Sequence, residues 1–390
     1  MASNITLIYP NYIDECVISE TSGSAWSTAL PLTNIQNKVL KKVARTNIGA
    51  LDKVLKINLM NQSRNIGGIA IIAHNFTTSC KVRFEGFSQL NFGGVQRFDS
   101  TQYYRAYPII NPNDNGVIPF ESRNWWLGTV EENERKSYTS VCSFFPPENH
   151  MIQSIRITID DSPASGIRAI GDTSTSSVLI AKGVKSFTTN GSNNFYSGQL
   201  VTIYDAANMG NFMSGEIASC IGNQLILNSA KIGGSGTIAS WNIINGDNYL
   251  EIGRIIIGRA IEPAHNPEYG DFSIGYTDLT EMQRASDNTK YFYIKPRMRT
   301  VSATFKHLTK AEALSGFLDA QRELGIFGEL LFTFSRPEYI KSHDELVNIN
   351  MTTDKNHYAN TFLCNFAELN PITMAYINGY STAIKLEEIV

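Results

Sequence analysis

The chain has 390 residues, with 42% hydrophobic residues, 18% charged residues and a formal net charge of −3. That length suits two or three domains, the composition is globular, and the charge gives no electrostatic reason to expect nucleic acid or an anionic membrane as partner. No apolar run approaches the roughly 20 residues that a bilayer-spanning helix needs, so no membrane insertion is expected.

Met1-Ala2-Ser3-Asn4-Ile5 has neither the basic nor the apolar stretch of a secretion signal. The five cysteines, Cys16, Cys80, Cys142, Cys220 and Cys364, lie far apart with no CxxC. Disulfide frameworks and zinc sites need tighter spacing, so these are expected to be small buried thiols in a chain that folds in a reducing cytoplasm.

Period-2 patterns dominate the first half. Leu55, Ile57 and Leu59 alternate with Lys56 and Asn58, Val82 and Phe84 with Lys81, Arg83 and Glu85, and Ile155, Ile157 and Ile159 with Arg156 and Thr158. Each run reads as a strand with one buried face. Ile69-Ala70-Ile71-Ile72-Ala73 is apolar throughout and reads as a strand covered on both faces. Between residues 164 and 246 only seven of 83 positions are charged, twelve of the 29 glycines occur, and proline is absent. Val178-Leu179-Ile180, Leu200 to Ile203 and Leu225 to Leu227 read as strands within it, so the stretch is expected to be a small inserted β-module. Its flanks, Ile152 to Asp160 and Tyr249 to Gly258, are expected to pair as a hairpin once it is removed, with a bulge at Gly253.

After Pro263 comes one helix, Thr309 to Leu324. Thr309 and Glu312 form a capping box, Leu314, Phe317, Leu318 and Leu324 mark its buried face, and Gly325 ends it. Strands precede it, with Val301, Ala303 and Phe305 inward, and follow it at Leu330 to Phe334. Asn378-Gly379 signals a hairpin. The fold class is all-β: multi-domain antiparallel β-sandwiches.

Three stretches carry a resemblance: WSTALPLTNIQNKVLKKVAR (26–45), NIGGIAIIAHNFTTSCKVRFEG (65–86), and IRITID (155–160) resumed as YLEIGRIIIGRAIEP (249–263). They resemble the discoidin-like (galactose-binding-like) jelly roll of structural proteins of tailed bacteriophages. The C-terminal third resembles the tube-like β-sandwich or split barrel with one helix that tail-tube and distal-tail proteins use to form rings. The resemblance implies a jelly roll over 1–163 completed by 247–264, the inserted module at 164–246, and a ring-forming domain over 265–390. Distal tail proteins usually carry the ring-forming domain first, and here the order is reversed.

The chemistry-bearing residues are sparse. No two of the six histidines lie within ten residues of each other, and HExxH, GxSxG and a Walker loop are absent. Gly233-Gly234-Ser235-Gly236-Thr237 lacks a phosphate-loop lysine and reads as a turn. Asp160-Asp161 reads as a solvated strand end, its side chains on opposite faces. Sugar recognition sets an aromatic platform beside planar hydrogen-bonding groups, because a pyranose has an apolar face and a polar rim. Trp125 and Trp126, with Arg123 and Asn124, fit that pattern. Core packing of both fits them best, an exposed contact at a protein interface next and a glycan contact last, and Tyr103, Tyr104, Arg105 and Tyr107 form a weaker cluster of the same kind. His74 reads as a satisfied strand-end histidine or as a contact to sugar or to a neighbouring subunit.

The expectation is therefore a non-enzymatic virion component without metal or cofactor, assembled in the host cytoplasm. The resemblance implies a distal-tail or tail-tip ring, sixfold or alternatively threefold. Its partners would be the tube, hub and tape-measure proteins and host-surface carbohydrate. Tyr291-Phe292-Tyr293-Ile294 and Leu330 to Phe334 offer more apolar strand surface than one helix covers, which subunit contacts would bury. The alternative is a carbohydrate-binding module or adhesin without catalysis.

Overall fold

The structure is a computed structural model that describes residues 4–21, 26–60, 62–100, 104–107, 139–146, 148–191, 195–268, 270–334, 360–376 and 379–390. Two antiparallel sheets form the first unit, a jelly roll. One runs in the order Val17–Glu20, Asp52–Asn58, Ser154–Asp160, Lys81–Phe87, Gln96–Asp99, and the other Val141–Phe144, Gly68–His74, Glu251–Gly258, Ala44–Arg45. Alternation places Leu55, Ile57, Val82, Phe84, Ile155, Ile157 and Ile159 in the core between them, with Ile69, Ile71, Ile252, Ile255 and Ile257 from the facing sheet. The second sheet has no wet face. Ala70, Ile72 and Ile256 on its reverse pack with Ile8, Leu331 and Leu363, which explains the continuous apolar run from Ile69 to Ala73.

The two strands flanking the insert do not form a hairpin. Ser154–Asp160 lies between Asp52–Asn58 and Lys81–Phe87, whereas Glu251–Gly258 pairs with Gly68–His74 and Ala44–Arg45 in the facing sheet. Both are interior strands with two neighbours already, so the chain crosses between sheets through the insert. The inward parity does switch, since Leu250, Ile252, Ile255 and Ile257 share one core while Ile256 faces away. A one-sided bulge is not the cause. Ile252 pairs with His74 and Arg254 with Ile72 in unbroken register. Opposite Gly253, Ala73 takes a φ of +54°, so both strands distort together. A Cβ on Gly253 would stand 2.8 Å from the Ala73 Cβ and 2.8 Å from the Leu40 carbonyl oxygen, so only glycine fits.

The insert folds as a six-stranded antiparallel sheet, with Asp172–Ser174 and Gly183–Thr188 at its two ends. A single bridge between Ser174 and Thr189 joins those two ends at one point. Its interior holds Phe187, Val201, Ile203, Met213, Leu225, Leu227, Trp241 and Ile243. Tyr204, Phe212 and Ile244 instead point outward into the jelly-roll core.

The C-terminal unit is an eight-stranded antiparallel sheet carrying one helical segment. Its strands include Thr6–Ile8 from the N-terminus, which pairs with Ala260–Ile261 and Leu330–Thr333. The assignment of everything up to residue 163 to the jelly roll is corrected accordingly, because Ile5 and Leu7 alternate into the C-terminal core. Val301, Ala303 and Phe305 point inward as expected. The capping box forms: the Thr309 N–H donates to Glu312 at 2.7 Å, and the Glu312 N–H donates to Thr309 Oγ1 at 3.3 Å.

The helix itself departs from expectation. Glu312–Leu318 is π-helical, preceded by α-helical Lys310 and Ala311 and followed by α-helical Asp319–Leu324. Its buried face is Ala313, Gly316, Phe317, Ala320 and Gln321, while Leu318 is exposed. Small residues let the helix approach the sheet closely, and a Cβ on Gly316 would already touch Ile261 at 3.4 Å. Gly325 ends it at a φ of +54°. Thr373–Tyr376 pairs with Gly379–Glu388, and Asn378 lies outside the described residues.

Candidate functional site

Trp125, Trp126 and Arg123, like Tyr103, lie outside the described residues. His74 ends the strand Gly68–His74 and is only 6% exposed. Its ring stacks on Phe76 at 4.2 Å and meets Tyr107 edge-on at 5.4 Å. Nδ1 accepts the Phe76 N–H at 3.3 Å. This side chain fixes the strand end within the interior and presents no surface to a ligand.

Two polar clusters that spacing did not reveal tie the units together. Asp161 is not a solvated strand end but is fully buried. Its carboxylate takes two bonds from Arg168 (3.2 and 2.6 Å), the Thr77 N–H at 2.9 Å, and the Thr77 hydroxyl. Arg168 Nη1 donates onward to the Asp247 carbonyl at 2.7 Å, and Lys231 reaches Asp247 at 3.0 Å and the Tyr249 hydroxyl at 2.5 Å. Burial acts to lower the Lys231 pKa, but the bonds to Tyr249 and Asp247 outweigh it and hold the ammonium above its ordinary range. The second cluster centres on Arg254, which is completely buried and bonds Asp14 (2.6 and 2.9 Å) and Glu329 (3.0 and 3.2 Å). Every charge in both clusters has an opposite partner, so they are structural locks rather than reactive groups. Burial pushes the Cys16 thiol up to about 12 and the Cys80 and Cys364 thiols well up, which leaves them poor nucleophiles. Among the described residues no three His, Cys, Asp or Glu side chains are grouped to hold a metal.

The open surface that remains distinctive is an arm. The strands Phe272–Asp278 and Arg297–Leu308 pair with each other. Beyond them the chain continues as the hairpin of Glu281–Arg284 and Lys290–Tyr293. Local bonds shape both ends. Asp278 Oδ1 accepts the Thr280 N–H at 2.9 Å, Asp287 Oδ1 accepts the Thr289 N–H at 3.0 Å, and Asn288 turns the chain at a φ of +67°. Glu281 stands opposite Tyr293, and Gln283 opposite Tyr291. Strand alternation therefore puts these four on one face, with Met282, Phe292, Arg284 and Lys290 on the other. Tyr291 is 61% exposed and Tyr293 69%. Lys295 pairs with Glu281, its ammonium 5.7 Å from the centre of the Tyr293 ring. Glu281, Gln283, Tyr291, Phe292 and Tyr293 line an open concavity.

Two phenol rings here lie beside a carboxylate and a carboxamide, an aromatic and polar grouping like the one the sequence suggested at Trp125 and Trp126. The signal was present at Glu281-x-Gln283 and Tyr291-x-Tyr293, two alternating runs a short turn apart. The cross-strand register that joins the two runs becomes visible in three dimensions.

No family model matches the chain, and no curated protein matches it. Among solved structures, a family 32 carbohydrate-binding module of Clostridium perfringens NanJ, in complex with galactose, aligns over 40% of this chain and 86% of its own at 18% identity and a TM-score of 0.24. A family 32 module from a Clostridium perfringens family 31 glycoside hydrolase aligns over 40% and 89% at 9% identity and a TM-score of 0.24. A fucolectin from striped bass (Morone saxatilis) serum aligns over 65% and 100% at 9% identity and a TM-score of 0.23. At such scores the likeness carries no argument, and the fold rests on the strand order and core given above.

Proposed function

We propose that this chain is a non-catalytic binding protein whose ligand class is carbohydrate, with the arm as its contact element. The supporting observation is the face of Tyr291 and Tyr293 beside Glu281 and Gln283, open to solvent and supported at one end by Lys295. A pyranose laid on a phenol ring loses water from its apolar face while its hydroxyls bond the flanking oxygens and nitrogens. The charges of the two buried clusters are paired and offer no nucleophile or acid–base couple to such a ligand. Glycan-array binding of the full chain is expected, with Tyr291→Ser plus Tyr293→Ser lowering it at least tenfold. Unchanged array binding by that double variant would remove the arm from the proposal.

A second reading keeps the expected virion role, in which the protein joins a phage tail tip as one subunit of a ring. It is favoured by the reverse face of the same arm, where Met282 is 49% exposed, Phe292 58%, and the adjoining Ile294 82%. Repeated subunit contacts would cover that apolar surface. A reconstruction of the mature particle in which residues 272–308 touch no other subunit would dismiss this reading.

A further inference from the structure

Resting on the carbohydrate reading, we infer that the arm holds two consecutive sugar units from the interior of a linear glycan, rather than a single terminal sugar. The register supplies two equivalent half-sites. Tyr293 stands opposite Glu281, and Tyr291 opposite Gln283, so each aromatic platform has one planar hydrogen-bonding partner directly across the strand pair. Two positions along a strand advance about 6.8 Å, far enough apart for each tyrosine to take its own sugar unit. Neighbouring units of one flexible glycan then meet neighbouring tyrosines.

Among the described residues nothing in the lining closes the row. The concavity is bounded by the hairpin itself, and Tyr291 and Tyr293 are both more than half exposed. A pocket for a chain terminus needs walls that enclose the last ring, whereas an open strip lets the glycan run on in both directions. The two half-sites differ in polarity. Glu281 is held by Lys295, which also approaches the Tyr293 ring from one side. That pairing makes Lys295 a positioning residue, which orients the carboxylate as an acceptor for vicinal hydroxyls and limits its repulsion of the ligand. The Gln283 carboxamide offers both a donor and an acceptor. A neutral hexose chain satisfies both half-sites.

The test is calorimetric titration of the full chain with a size series, mono- to hexasaccharide, of the neutral glycan that binds best on an array. Affinity is expected to rise at least tenfold from mono- to disaccharide and then to level off. Tyr291→Ser and Tyr293→Ser are each expected to abolish that step, leaving the weak monosaccharide affinity of the surviving half-site. Blocking the glycan's terminal units is expected to leave the affinity of the longer oligomers unchanged. A monosaccharide that binds as tightly as the longer oligomers would overturn the two-unit strip while leaving the carbohydrate reading intact. So would loss of binding on terminal blocking. Absence of binding to every glycan, together with arm-dependent capture of a protein ligand, would overturn both. Both residues are solvent-exposed, and matching unfolding midpoints for the variants confirm that the readout is recognition and not folding.

Discussion

Leu330–Thr333 and Lys290–Tyr293 are strands of equal length in the same C-terminal unit, each with an aromatic and apolar sequence, and they meet opposite fates. The first is buried at all four positions. Leu330 and Phe332 face the core that holds the helix, and Leu331 faces the jelly roll. The second is exposed at all four positions. Among the described residues no layer lies on either side of that two-stranded ribbon, which by itself has little to sustain it in water, so on the proposed reading its cover comes from outside the chain. The comparison separates two meanings of an apolar strand. Where the chain supplies a second layer the side chains are stability, and where the described residues supply none they are, on the proposed reading, contact surface.

The largest effect is expected where one unit supplies cover to another. Replacing residues 164–246 by a Gly-Ser linker removes Tyr204, Phe212 and Ile244 from the jelly-roll core and removes Arg168 from Asp161. An uncompensated buried charge alone costs about 3–5 kcal/mol. Adding Asp161→Asn to the shortened chain is expected to restore part of that loss. A shortened chain that melts cooperatively at the full-length midpoint would show that the insert covers nothing of consequence. Next comes Phe332→Ala, which empties a fully buried site between the helix and the sheet. It is expected to cost about 3–5 kcal/mol by denaturant unfolding, and a cost below 1 kcal/mol would contradict the burial.

Much of this was legible in the sequence. Alternation at Leu55, Ile57, Ile155 and Ile157, the doubly covered run at Ile69 to Ala73, and the capping box of Thr309 and Glu312 are local patterns, and local patterns survive in one dimension. What could not be read depends on partners far away in the chain. Asp161 looks like a solvated acid until Arg168 and Thr77 are folded against it. Arg254 interrupts an apolar strand until Asp14 and Glu329 arrive from 240 and 75 residues away. The N-terminal strand Thr6–Ile8 joined the wrong unit because nothing local says which sheet edge a three-residue strand will fill. The arm's site was half legible for the same reason, its two alternating runs being joined only by register.

An intermediate effect belongs to the helix start. Thr309→Ala removes one capping bond and is expected to cost about 1 kcal/mol. The Glu312 carboxyl feels burial, which raises its pKa, but the Thr309 N–H, the Thr309 hydroxyl and the Ala264 N–H outweigh it and hold it below its ordinary value of 4.5. A lowered folded-state pKa contributes stability that is present above the unfolded value and is lost as pH falls through the folded one. The difference in stability between wild type and Glu312→Gln should accordingly shrink as pH falls below about 4.5. A difference that holds constant down to pH 3 would count against the carboxylate as the source.

The smallest effect on stability is expected at Phe292, and it tests the comparison most directly because the side chain is the same as at position 332. Phe292 is 58% exposed and stands opposite Met282 on the reverse face of the arm. Truncation there removes surface already in water, so Phe292→Ala should move the unfolding free energy of the isolated chain by no more than about 0.5 kcal/mol. Its effect should appear only when cover is present. If neighbouring subunits provide that cover, the variant should assemble less completely than wild type at equal concentration, as read by mass photometry or by occupancy in the reconstructed particle. If the arm serves glycan alone, Phe292→Ala should leave assembly untouched while Tyr291→Ser and Tyr293→Ser still weaken sugar binding, because those tyrosines lie on the opposite face. A cost at Phe292 comparable to that at Phe332 would mean that the arm folds back onto its own chain in solution, and the distinction between covered and uncovered strands would then fail.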